Sequence, residues 1–208
     1  MLPSLTQHQP PPPASPSDSG FLPRREFATS NRPPKLFCLV TFTQASAIRL
    51  VAFPEDVVTS FRKFLEEKEL MRLFRENRDE QVAEFVLGPR FWQNPKGIET
   101  ELLLLEIITF FNLQGYTFLS TIDYGRDSSD KLTISFTRPQ GTPPTVQQLV
   151  FAVSFNAPTF LRVLNPPLQS TPGILAAVRT AWPRGIVSEN KAAITCYEFK
   201  LKGYSCKC

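Results

Sequence analysis

The chain has 208 residues, 42% of them hydrophobic and 20% charged, which suffices for one or two packed domains and excludes a wholly disordered polypeptide. A formal net charge of +4 with a pI near 9.0 admits an anionic partner without requiring one. The longest apolar run, Leu102 to Leu113, contains Glu106 and falls short of a bilayer span of about 20 residues; the first residues carry neither the charged nor the apolar region of a secretory signal, so the expectation is an intracellular protein, cytoplasmic or nuclear and not secreted, with no membrane partner.

Residues 1–34 hold nine of the 20 prolines, including Pro10 to Pro13. They show no apolar periodicity, so a disordered tail with polyproline character is expected. From Lys35 the texture changes. FCLVTF places Cys38, Val40 and Phe42 on one face, and AIRLVAF places Ile48 and Leu50 opposite Arg49; the two read as a hairpin. Pro54, Glu55 and Asp56 open a helix with the inward stripe Val57, Val58, Phe61, Phe64 and Leu65. The stripe slips near Glu66 to Glu69 and resumes at Leu70, Leu73 and Phe74, which predicts a bend or a second short helix. AEFVLG is a further strand. ETELLLLEIITFFNLQG is a helix with only a narrow polar stripe (Glu101, Glu106, Thr109, Asn112), so it should be buried on most sides, and Gly115 should stop it. Tyr116, Phe118 and Ile122 then alternate against Leu132, Ile134 and Phe136 in a closing hairpin. The order ββαβαββ makes residues 35–140 an α+β unit with a mainly antiparallel sheet.

Residues 148–208 repeat the first part of that unit. Val40, Thr41 and Phe42 match Val153, Ser154 and Phe155; Ile48, Arg49, Leu50 and Val51 match Leu161, Arg162, Val163 and Leu164; Pro54 matches Pro167, all at a spacing of 113. Glu84, Phe85 and Leu87 match Glu198, Phe199 and Leu201 at a spacing of 114. Alternation alone gives two hairpins of similar texture, but not an arginine and a proline in register. The second unit is read as incomplete: YEFKLKGY is followed only by SCKC, where the first unit continues into its second helix and last hairpin. A half-unit exposes apolar strand faces, and the abrupt ending suggests a shortened gene model or splice form.

In GYTFLSTIDYGRDSSDKLTISF, STPGILAAVRTAWPRGIVSE and YEFKLKGY the chain resembles an uncharacterised family of fungal, mainly basidiomycete, hypothetical proteins, over most of residues 35–204. In similar members the FKLKG strand leads into an aromatic residue and a further helix, and this chain departs there. The resemblance supplies no catalytic residue.

Several chemistries are disfavoured. The only histidine, His8, lies in the proline-rich tail, which removes the usual neutral-pH base and most zinc sites from the folded part. No dinucleotide or phosphate-binding glycine loop occurs. Asp123, Asp127 and Asp130 are residue types that bind hard cations, but they are also what a hairpin turn uses. Cys38 and Cys196 read as buried free thiols, Cys206 and Cys208 are too few for a metal site, and Trp92 and Trp182 read as packing residues. No catalytic, metal or cofactor residue is assigned. The residues that fit contact with an anion or partner are Arg49, Arg162, Lys200 and Lys202. The leading expectation is a non-enzymatic protein-interaction module acting through an exposed sheet edge, with a protein or a second copy as partner. The alternative is a nucleic-acid-binding module using the basic outer sheet face; a carboxylate–metal enzyme comes third.

Overall fold

The structure, a computed structural model, describes residues 35–122, 130–139 and 149–203. The proline-rich tail, the turn bearing Asp123 and Asp127, and the terminal cysteines lie outside the described residues.

The first unit runs β1 (Lys35–Thr43), β2 (Ala47–Val51), α1 (Glu55–Glu67), β3 (Met71–Asn77), β4 (Val82–Leu87), a single 3-10 turn (Phe91–Gln93), α2 (Ile98–Leu113), β5 (Thr117–Ile122) and β6 (Asp130–Pro139). Its strands form a six-stranded sheet in the order β3-β4-β2-β1-β6-β5. The second unit runs β7 (Ala152–Ala157), β8 (Phe160–Leu164), α3 (Thr171–Ala181), β9 (Ile186–Ala193) and β10 (Cys196–Leu201), in a four-stranded sheet ordered β7-β8-β10-β9. Every pairing in both sheets is antiparallel. The chain is thus α+β with tandem units, the second having fewer elements among the described residues.

Local chemistry accounts for the helix ends. The Pro54 carbonyl accepts from the amides of Val57 and Val58 at 3.1 Å each, and Glu55 and Asp56 lie at the positive end of α1. Gly115 ends the α2 segment at φ 82, a conformation that costs glycine little. Between the first sheet and these helices lies a phenylalanine cluster: the Phe61 ring centroid stands 5.1 Å from that of Phe85 and 5.2 Å from those of Phe110 and Phe111.

Two expectations need correction. The stretch after α1 is a strand, not a bend or a second helix, so the first unit reads ββαββαββ. A bulge between Met71 and Leu73 lets Met71 and Phe74 both pack on the core, and this mimics helical spacing in the sequence. A second bulge between Phe118 and Ser120 leaves Phe118 opposite Phe136 but sets Ile122 opposite Thr133, off the core-facing row of Ile134 and Phe136.

The repeat extends to register. Thr41 pairs with Arg49 and Arg49 with Glu84; Ser154 pairs with Arg162 and Arg162 with Glu198. Both units place a non-glycine residue at positive φ after their second strand, Ala52 at 61° and Asn165 at 49°. Their amides donate to the carbonyls of Gln81 and Thr195 at 3.0 and 2.7 Å. The strand β9 corresponds to β3, the one element of the first unit that the sequence reading also missed.

Helix α2 serves both sheets. Leu103, Ile107 and Phe111 join the core of the first, while Ile98, Leu102 and Leu105 pack with Val150, Ala152, Leu164 and Cys196 of the second. A helix apolar nearly all round must be covered nearly all round, and here two sheets cover it.

Candidate functional site

The two faces of the second sheet are covered unequally. Its inner face packs Val163, Phe199 and Leu201 against Leu175, Ile174 and Val178 of α3. In the first unit the matching face is also closed by α2, and β6 pairs along β1 and covers its edge. The second unit has no such layer among the described residues, and β7 is an edge strand. The consequence falls on two residues. Val40 and Phe42 are 0% and 2% exposed, whereas their counterparts Val153 and Phe155 are 51% and 57% exposed. Phe42 is held edge-on by Trp92 at 4.8 Å. Beside Phe155 lies an apolar groove of about 290 Å³, lined by Leu161, Ala177, Val178, Trp182 and Leu201. The β7 sequence, AVSFNA, has neither charge nor proline, the usual protections of a free edge.

The outer face of the second sheet is closed by α2 through a buried ion-pair network. Arg162 donates from Nε to Glu198 Oε1 at 2.6 Å, and from Nη1 to Glu101 Oε2 at 3.0 Å and to the Lys96 carbonyl at 2.6 Å. The Ser154 hydroxyl donates to Glu101 Oε1 at 2.8 Å. Burial works against the charge on Arg162, but the two carboxylates outweigh it and hold its pKa above the ordinary value. A cation so enclosed is locked in the protonated state and fixes the seat of α2 on β8.

Of the residues singled out for anion or partner contact, Arg162 is therefore enclosed. Arg49 stands at the equivalent place in the first sheet, paired to Glu84 at 2.8 Å, with its side chain 42% exposed against 8% for Arg162. Lys200 and Lys202 are exposed on and just beyond β10. The Lys202 carbonyl accepts from the indole of Trp182 at 3.0 Å. Glu101, on the polar stripe of α2, and Ser154, on β7, complete this network although neither stands out in the sequence as a contact residue. The available signal was a glutamate, one of three on a largely apolar helix, together with an arginine repeated at the same strand position in both units. Trp92 packs as expected, its indole donating to the Ala47 carbonyl at 3.0 Å.

Among the described residues no group of three or more His, Cys, Asp or Glu gathers as a metal site, and no helix is long and apolar enough to cross a membrane. Cys38 and Cys196 are buried free thiols. A single family model, that of a domain family, matches the chain in two segments, residues 36–137 and 150–208, well over half of its length. No curated protein and no solved structure is significantly similar to it.

Proposed function

We propose a protein-binding role for this chain, which belongs to the domain family whose model matches both of its segments. The binding surface is the open side of the second sheet: the free edge of β7 and the apolar groove between Phe155 and Trp182. The observation that carries the reading is the contrast between Phe155, half exposed, and Phe42, its buried counterpart. A strand added along β7 gains backbone hydrogen bonds, and apolar side chains beside it cover Val153 and Phe155. The simplest partner is a second copy, its β7 antiparallel to this one about a two-fold axis, because such a contact is self-complementary. On this reading the protein is not an enzyme, acts inside the cell, and belongs to the fungal branch that its sequence resembles.

The nucleic-acid reading has less behind it. Of the four basic residues it calls on, Arg162 is enclosed by two carboxylates and Arg49 is paired with Glu84, so that its support falls to the exposed Lys200 and Lys202.

Light scattering on the full chain tests the proposal. The mass should rise with concentration from the 23.5 kDa of one chain toward twice that value. Phe155→Asp, which places a charge in the contact, should hold the protein at one chain throughout. A monomer at every concentration, with no protein captured through this edge, overturns the reading.

A further inference from the structure

We infer that the groove beside Phe155 is a seat for an indole ring, the side chain of a tryptophan supplied by another protein, and that this ring donates its N–H to the Phe160 carbonyl. The inference rests on the reading of that groove as part of a binding surface, and names the group it receives.

The first unit shows the seat filled. Trp92 meets Phe42 edge-on at 4.8 Å, and its indole donates to the Ala47 carbonyl at 3.0 Å. Strand register gives the counterparts in the second unit. Phe155 stands for Phe42, since it pairs with Leu161 as Phe42 pairs with Ile48. Phe160 stands for Ala47, paired with Lys200 as Ala47 is with Val86. The carbonyls also point alike. The Leu87 amide donates to the Ser46 carbonyl and the Leu201 amide to the Thr159 carbonyl, at 2.8 Å each. Successive carbonyls along an extended chain alternate in direction, so those of Ala47 and Phe160 both turn away from that neighbouring strand. The acceptor is therefore repeated together with the aromatic floor.

The ring is what is not repeated. Trp92 follows Leu87 by five residues, whereas Cys206 follows Leu201 by five. Among the described residues nothing covers Phe155 as Trp92 covers Phe42, and Phe155 is 57% exposed. The space beside it, about 290 Å³, is bounded by Leu161 and Leu201 of the sheet, by Ala177 and Ala181 on α3 and by Trp182, all of them apolar. That is at the small end for a binding pocket and suits one bicyclic side chain. The two alanines on the helix wall leave the room, and Phe155 and Trp182 offer aromatic surface. Such a floor gives a planar ring its buried area, and the Phe160 carbonyl favours a ring that carries a donor.

A strand on β7 does not supply this ring. In the first unit β6 sets Leu132 opposite Phe42, and Phe42 is met by Trp92 as well. A second copy has no tryptophan to lend. Trp92 is buried in its own first core, and the Trp182 indole is bonded to the Lys202 carbonyl. The tryptophan therefore comes from a different protein.

An NMR titration of the full chain with N-acetyltryptophanamide tests the seat. Methyl signals of Leu161, Val178 and Leu201 should shift saturably, with a Kd on the order of 1 mM for a single side chain. The same amide methylated on the indole nitrogen, which cannot donate, should bind about tenfold more weakly, and N-acetylalaninamide should leave the signals in place. Ala177→Phe, which puts a ring of the protein's own into the groove, should abolish the shifts; Ala181→Phe is a second filling if the first does not fold. No saturable shift, equal affinity for the methylated ring, or shifts that survive a folded filling variant would each overturn the inference. Light scattering on the same samples keeps it apart from the β7 reading. Self-association that Phe155→Asp removes, without indole binding, overturns this inference and leaves that reading standing. Indole binding by a chain that stays monomeric and captures no protein through the edge supports the seat and counts against strand pairing.

Discussion

Arg162 on β8 and Glu101 on α2 meet at 3.0 Å, joining the second sheet to the long helix of the first unit. Glu198 closes the other side of the guanidinium at 2.6 Å. Removing the arginine strands two poorly solvated carboxylates, so Arg162→Met should destabilise the protein by about 3–5 kcal/mol. The equivalent change at the more exposed Arg49 should cost less than about 1 kcal/mol. Urea unfolding of the two variants measures the difference. Replacing the whole network by apolar residues (Arg162→Met with Glu101→Leu and Glu198→Leu) should recover most of the loss. Equal costs at Arg49 and Arg162 would contradict the asymmetry in cover.

Leu105 faces the second sheet, while its neighbours on the helix, Leu103 and Ile107, belong to the first core. Leu105→Ala should therefore cost about 2–5 kcal/mol, and the damage should be local. Hydrogen exchange should quicken at the amides of β8 and β10 before those of β1 and β6. The adjacent Glu106→Ala, which breaks only an exposed pair with Lys68 at 3.0 Å, should change stability by about 0.5 kcal/mol or less. Uniform loosening of both sheets in Leu105→Ala would argue that α2 is not the joint between them.

The parts of this arrangement that alternate cleanly were legible in the sequence. Cys38, Val40 and Phe42 read as a core face and are one, and α1 begins at the proline and acids that mark it. Arg49 and Arg162, in register with Pro54 and Pro167, announced the repeat that the strand pairings display. The bulges were not legible. Between Met71 and Leu73 one extra residue turns a period of two into an apparent period of three, and a sequence cannot distinguish that from a turn of helix. The partner of Glu101 was not legible for a different reason: whether a carboxylate on an apolar helix meets water or an arginine depends on a strand some sixty residues away, at Arg162.

Ala52 occupies the left-handed region at φ 61, as Asn165 does at 49 in the second unit. A β-carbon there costs roughly 1–2 kcal/mol, and asparagine tolerates the conformation better than alanine. Ala52→Gly should therefore stabilise the protein, by about 0.5–1 kcal/mol once the greater freedom of glycine in the unfolded chain is subtracted. Asn165→Ala should do the opposite. Thermal unfolding should show a rise of about 1–4 °C for the first and a fall for the second. A lowered midpoint in Ala52→Gly would mean that the Ala52 methyl packs well enough to offset its strain.

Cys38 lies wholly buried in β1 and its thiol donates to the Ala52 carbonyl at 3.1 Å. Burial pushes its pKa from 9.0 up to about 11, against a smaller opposing pull from Tyr116. The folded state therefore binds more protons than the unfolded state between these values. The thiol's contribution is fully present below pH 9 and is lost as pH rises toward 11, on the order of 2–3 kcal/mol in all. Tyr116, also pushed up from 10.0 chiefly by burial, adds a slope of the same sign above that value. Unfolding in guanidinium at a series of pH values from neutral to strongly alkaline should show this decline. In Cys38→Val it should become shallower, with the components of Tyr116 and of the other buried thiol, Cys196, remaining. Alkylation mapped by mass spectrometry gives an independent reading, since neither Cys38 nor Cys196, whose thiol is likewise raised by burial, should react with iodoacetamide in the folded protein at pH 8. Rapid labelling of Cys38 under those conditions, or an unchanged slope in Cys38→Val, would refute the assignment of the alkaline decline to this thiol.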